Sequence, residues 1–171
     1  KIFNRQTLTC PWPVQDDLQL LFREGLLSGA GNHTTMDYET ILAVGFEGLI
    51  DRVRARLARL SPDVPEDAEK CHFLEALEIV AEGYIDLCSR YADHAQALAA
   101  ASHDETRSEE LRGIAEICRQ VPAGPPTNFR EACQAVWFCF FFLPDAPGRV
   151  DQYLYPFYRD DIARNAITPN L

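Results

Sequence analysis

Arg149, Asp151 and Gln152 are the residues whose types and spacing look most like chemistry. A guanidinium, a carboxylate and an amide within four positions can bind an anion, hold a proton or orient a polar substrate. In an extended turn, residues i and i+2 share a side, so Arg149 and Asp151 can pair with each other. Their neighbours are strongly apolar, and a charge buried there needs a partner. That favours a structural role for the three over a catalytic one. Tyr153, Tyr155 and Tyr158 follow and could relay protons or electrons. Their setting fits core or interface phenols with satisfied hydroxyls better. Trp137 and the Phe138–Phe142 run read as core for the same reason. The six cysteines, Cys10, Cys71, Cys88, Cys118, Cys133 and Cys139, form no C-x-x-C pair. Most sit in helical apolar patterns as small hydrophobes, so neither a zinc site nor a disulfide framework is expected, and the reading is a reduced, cytoplasmic protein.

The elements that must position these residues are helices. The chain is organised around Thr127–Asp161, which opens with a helix start, turns almost wholly apolar, breaks at Pro144–Gly148 and resumes as GRVDQYLYPFY. Upstream, Thr34 with Asp37 resembles a capping box. Ile41, Leu42, Val44, Leu49, Ile50, Val53, Leu57 and Leu60 then recur on one helical stripe. Gly45 and Gly48 within it suit close approach of another backbone. A longer helix is predicted over Glu66–Ala101, with Phe73, Leu77, Val80, Tyr84, Leu87, Cys88, Tyr91, Ala95 and Leu98 on its apolar side. Thr106 with Glu109 predicts the cap of a third helix. Val121–Pro126 reads as a stiff linker, and Asn128 with Glu131 as the cap of a fourth helix, Phe129–Leu143. A fifth is predicted over Gln152–Asn165, with Pro156 near its start or at a kink. Short extended pieces are expected at most within residues 1–13 and at Gly148–Val150.

The bulk properties narrow the function classes. The chain has 171 residues and a formal net charge of −10. Phosphate binding needs clustered Lys and Arg, so nucleic acid is disfavoured, as is an anionic membrane surface. Arg52, Arg54, Arg56 and Arg59 alternate with apolar residues and read as one solvated helix face. The longest apolar run, Ala135–Leu143, is about half the ~20 residues needed to span a bilayer. It reads as a helix buried all round, which needs many neighbours, so the chain is expected to be part of a longer polypeptide. Leaving several Phe side chains uncovered would cost several kcal/mol at about 25 cal/mol per Å², which disfavours a freestanding module.

Three stretches occur in order: HTTMDYETILAVG, then EELRGIAEICRQVPAGPPTNFREACQAVWF, then GRVDQYLYPFYRDDI. Together they resemble the glycyl radical enzymes, the pyruvate formate-lyase-like family, and within it the dehydratase, decarboxylase and C–N lyase branch. The resemblance implies that residues 1–171 are one partial domain, a mainly α segment of about five helices flanking a ten-stranded α/β barrel. It implies a glycyl radical installed by an activase that uses an iron–sulfur cluster and S-adenosylmethionine. It further implies hydrogen abstraction by a cysteine thiyl from a small polar substrate, with C–C, C–O or C–N cleavage, and a homodimer. Neither the family's Gly-Cys-Val-Glu loop nor its Arg-Val-x-Gly-Tyr/Phe radical motif occurs in these residues. No catalytic residue or metal ligand is therefore assigned here, and the chain alone is expected to be inactive. The resemblance carries over one substrate-binding candidate, His33, which stands in a Gly-His-Thr-like element. It suits a tunable donor to a hydroxyl or carboxylate; the alternative is a helix-start histidine bonded to a carbonyl or solvent. The loop before Gly148, LPDAP, is shorter than the family's usual version and marks a divergent pocket. The competing reading is a helical binding or regulatory module that kept the scaffold and lost the chemistry.

Overall fold

The computed structural model describes residues 35–143 and 146–168, all within the unit Thr34–Leu171. They form five helices in chain order: α1 Tyr38–Leu57, α2 Pro65–Ala101, α3 Glu105–Gln120, α4 Phe129–Phe142 and α5 Val150–Ala163. No strand occurs among the described residues. Gly148 turns with φ +65° and Val150 already begins α5, so the extended piece expected at Gly148–Val150 is not formed. No described helix is long and apolar enough to cross a membrane.

The caps explain the boundaries. Asp37 caps α1: its carboxylate accepts from Thr40 N at 3.1 Å and from Thr40 Oγ1 at 2.6 Å; Thr34, the capping candidate of the sequence, lies outside the described residues. Those bonds hold the Asp37 pKa below the usual carboxylate value. Asp104, not Thr106, caps α3 through the Arg107 amide at 3.3 Å. Aspartate satisfies an orphan amide as well as threonine does, so two candidates stood within one turn at the start of α3. Asn128 caps α4 as the sequence predicts, accepting from Glu131 N at 2.9 Å. Glu131 reaches back to Thr127 N at 2.7 Å and Thr127 Oγ1 at 2.9 Å.

A single stripe runs through α1, but the helix breaks within it. Gly45 has φ 68° and ψ 178°, so two helical segments meet there. The amides exposed by the break donate to the following linker: Phe46 N to Pro122 O at 2.9 Å and Glu47 N to Ala123 O at 3.0 Å. A Cβ at Gly45 would lie 2.2 Å from Ala123 O. The close approach expected of the glycines is real at Gly45. At Gly48 the nearest neighbour is instead Val44 of the same element.

The core sits where these pieces converge. Tyr38, Ile41, Leu42, Phe46 and Ile50 of α1 pack with Ala81, Val121, Ala132, Ala135, Cys139 and Tyr153. Phe46 and Tyr84 stack at 4.6 Å. A second cluster joins Cys88 and Ala92 of α2, Cys118 of α3 and Phe138 of α4. The buried face of α2 is a seam of small residues, Cys71, Ala81, Cys88, Ala92, Ala95 and Ala99. Short side chains let α3 approach closely, and Ser108 Oγ donates to Ala99 O at 2.9 Å across the hairpin. The larger members of the predicted stripe, Phe73, Leu77, Val80, Tyr91 and Leu98, are exposed instead. Arg52, Arg54, Arg56 and Arg59 are exposed as expected. Arg54 bridges to Glu78 and Glu82 on α2, a contact weakened by solvent.

Candidate functional site

The two motif segments at opposite ends of the chain meet at one crevice. It holds roughly 200 Å³ and lies between the start of α1 and the start of α5, with Thr35, Asp37 and Glu39 on one side and Gly148, Arg149 and Gln152 on the other. Tyr38 and Tyr153 form its inner part, their rings stacked at 5.0 Å and 20°. Asp37 is spent on capping α1, which leaves Glu39 as the uncommitted carboxylate of that wall. The walls touch: a Cβ at Gly148 would lie 3.1 Å from Thr35 Cγ2. The positive φ of Gly148 suits glycine in any case.

Arg149 and Asp151 do pair, through Nε to Oδ1 at 3.0 Å and Nη2 to Oδ2 at 2.8 Å. The fork holds the Asp151 carboxyl below, and the Arg149 guanidinium above, their usual values. The pair is exposed, with side chains 69% and 67% accessible, and not buried as its apolar neighbours suggested. It lies at the first turn of α5, where Asp151 also suits the helix dipole. Gln152 is exposed on the same turn and lines the crevice.

Of the three tyrosines, Tyr153 is buried and donates its hydroxyl to Pro147 O at 2.6 Å. Burial pushes its pKa up to about 12, so it stays a neutral donor near neutral pH. Tyr158 packs edge-on against Phe129, and Tyr155 is 57% exposed. The expectation for Trp137 is corrected: it is 57% exposed. α4 turns Ala132, Ala135, Phe138 and Cys139 inward, which leaves Trp137 and Phe141 on the opposite side. There, with Tyr91 and Leu98, they line an apolar groove of roughly 400 Å³. The helix is therefore buried on one face only in these residues.

The cysteines fit their expected role. Cys71, Cys88, Cys118 and Cys139 are buried and Cys133 partly so, all as free thiols. Burial pushes Cys88 and Cys139 up to about 12, which keeps them protonated and out of thiolate chemistry. No cluster of three or more His, Cys, Asp or Glu able to hold a metal ion occurs among the described residues. His33 and Cys10 lie outside the described residues; His33 precedes Thr35 by two positions in sequence.

Sequence reasoning missed Asp161. It is 3% exposed, accepts from Phe129 N at 3.0 Å and pairs with Arg164. These bonds hold its carboxyl below the usual range, the Phe129 amide first. The carboxylate thus ties α5 to the first turn of α4. No local signal marks it, because its amide partner lies 32 residues away.

Among the described residues, the crevice offers hydroxyl, amide and carboxylate groups but neither a thiol nor a metal set. Such a surface can hold and orient a small polar molecule. Comparison with known proteins agrees with the motifs. A family described as pyruvate formate lyase-like matches residues 20–170. The isethionate sulfite-lyase of Oleidesulfovibrio alaskensis is 43% identical over 141 residues, covering 77% of this chain and 17% of that protein. The glycerol-bound B12-independent glycerol dehydratase of Clostridium butyricum superposes with a TM-score of 0.76 at 34% identity, over 81% of this chain and 18% of that one. A glycyl radical enzyme from Archaeoglobus fulgidus gives 0.74 at 35% identity, over 91% and 21%. The chain thus spans about a fifth of the length of the proteins it matches. Motif order, sequence identity and helical architecture agree, and the chain belongs to the pyruvate formate lyase-like family of glycyl radical enzymes.

Proposed function

We propose that this chain is the helical flank of a glycyl radical enzyme that breaks a bond in a small polar substrate after thiyl-radical hydrogen abstraction. The thiyl cysteine and the radical glycine would belong to parts of the enzyme beyond these 171 residues, as would the barrel that the helices flank. The radical would be installed by an iron–sulfur, S-adenosylmethionine-dependent activase, and the working enzyme would be a cytoplasmic homodimer. The bond classes named from the motifs, C–C, C–O and C–N, need widening. The name of the isethionate relative specifies release of sulfite, which adds a C–S bond. Isethionate and glycerol, the small polar molecules named with two relatives, are the first probes.

One observation carries this reading. Thr35, next to the His-Thr motif, and Gly148–Gln152, from the Gly-Arg-Val-Asp-Gln motif, are over a hundred positions apart yet wall one crevice. Its polar lining suits a small molecule bearing hydroxyl groups; the substrate role proposed for His33 rests on the motif alone. The apolar groove beside Trp137 and Phe141 supports a chain covered by more protein and disfavours the freestanding binding module.

The role of His33 is tested by His33→Ala in the activated enzyme at its native length. Loss of one substrate hydrogen bond predicts a fall of about tenfold in kcat/KM, which is about 1.4 kcal/mol of transition-state binding. Radical content per chain and thermal midpoint stay at wild-type values. Unchanged kinetics at equal radical content would remove His33 from the site.

A further inference from the structure

We propose that Tyr153 is a positioning residue whose hydroxyl tethers the Pro147–Arg149 wall of the crevice and thereby sets affinity for the bound small molecule. The inference rests on the reading of the crevice given above and adds the group that fixes its shape.

Two contacts converge on the side chain. Tyr153 is 9% exposed and its ring lies flat on Tyr38, so it cannot swing without breaking the stack. From that fixed ring the hydroxyl reaches Pro147 O at 2.6 Å, a short bond for two neutral groups. Pro147, Gly148 and Arg149 are all exposed. Among the described contacts, this hydroxyl is the side-chain bond that reaches back to the wall from the core. Arg149 is spent on Asp151, within its own helix turn. On the other side the wall meets Thr35 at Gly148. A wall that drifts outward therefore widens the crevice at the point where the two motif segments touch.

The tether is separable from folding. Without the hydroxyl, the exposed Pro147 carbonyl is served by water, and the ring still stacks on Tyr38. A lost bond whose acceptor is rehydrated costs little stability, whereas a loosened binding wall weakens the substrate complex. Turnover falls less, because Tyr153 does not meet the reacting atoms. The burial that keeps the phenol neutral also keeps it a donor through the ordinary pH range.

The test uses the activated enzyme at native length, with isethionate and glycerol as probes, and compares Tyr153→Phe with Ser108→Ala. Ser108→Ala removes a buried hydroxyl-to-carbonyl bond from the α2–α3 hairpin, which does not line the crevice. Two quantities are read: hydrogen exchange across residues 146–152, and KM against kcat. In Tyr153→Phe the segment should exchange about tenfold faster, KM should rise about fivefold and kcat should stay within about twofold. Ser108→Ala should change none of these. Wild-type exchange in Tyr153→Phe, an unchanged KM, or an equal KM rise in Ser108→Ala overturns the proposal. A wild-type enzyme that carries no radical and turns over neither probe brings down the parent reading and this inference with it. That failure is recognised in the wild type, before any variant is compared.

Discussion

Gly45→Ala is expected to cost on the order of 4 kcal/mol or more, a large part of the 5–15 kcal/mol that holds a typical domain together. Two penalties add. The backbone at Gly45, φ 68° and ψ 178°, lies where residues with a Cβ are strained by roughly 1–3 kcal/mol. The added methyl would also stand 2.2 Å from Ala123 O, 2.7 Å from Gly124 C and 2.8 Å from Gly124 Cα. All three are backbone atoms, so no rotamer change relieves the contact. The linker would have to lift away, and the Phe46 and Glu47 amides would lose Pro122 O and Ala123 O. Gly83→Ala is the matched control. A Cβ there meets nothing within 4 Å, and alanine in mid-helix gains up to about 1 kcal/mol over glycine. Denaturant unfolding of the two variants should therefore move in opposite directions. A Gly45→Ala protein as stable as wild type would contradict the docking of the linker onto the break in α1.

Asp161→Ala is expected to cost about 3 kcal/mol, the sum of a lost charge-assisted hydrogen bond and an amide left without its partner. The Phe129 amide is the first of α4, and Asp161 supplies from α5 what Asn128 does not reach. Without it, α4 loses its tie to α5, and α5 carries the Gly148–Gln152 side of the crevice. Asp161→Asn keeps the shape and removes the charge, so it isolates the pH dependence. The folded carboxyl titrates below its unfolded value of 3.8. Its contribution is therefore fully present above that unfolded value and is lost as pH falls through the lower, folded value. Wild type should exceed Asp161→Asn in stability at neutral pH, and the difference should shrink as pH drops below about 4. A constant difference across that range would mean that the charge contributes nothing.

The elements of this fold are legible in the sequence because each helix carries an apolar repeat, and α1, α3 and α4 a capping side chain as well. α2 and α4 lie within a residue or so of their predicted bounds. Which face each helix buries is far less legible. In α2 most of the large apolar side chains are exposed, Tyr84 on Phe46 being an exception, and the fully buried residues are alanine and cysteine. Hydrophobicity ranks Phe73 and Leu98 above Ala92 and Ala99, yet close helix packing selects the small residues. Trp137 misleads in the same way, because its neighbours in these residues contact the other side of α4. At the candidate site, the motifs named Arg149, Asp151 and Gln152, and the pairing of the first two followed from their spacing. The burial of that pair did not follow, since it sits on an exposed first turn. The Tyr38–Tyr153 stack and the Asp161 tie were invisible, because both depend on residues brought together from distant parts of the chain.

The proposed function requires that the protein carrying this chain work through a glycine-centred radical. The direct measurement is electron paramagnetic resonance on the native-length protein, labelled with 2-13C-glycine. It is treated anaerobically with an activase already shown to act on another glycyl radical enzyme. The proposed function predicts a persistent organic radical whose hyperfine pattern changes with the label, in a preparation that consumes isethionate, glycerol or a related small polar compound. A fully treated protein that shows no glycine-centred signal would contradict it.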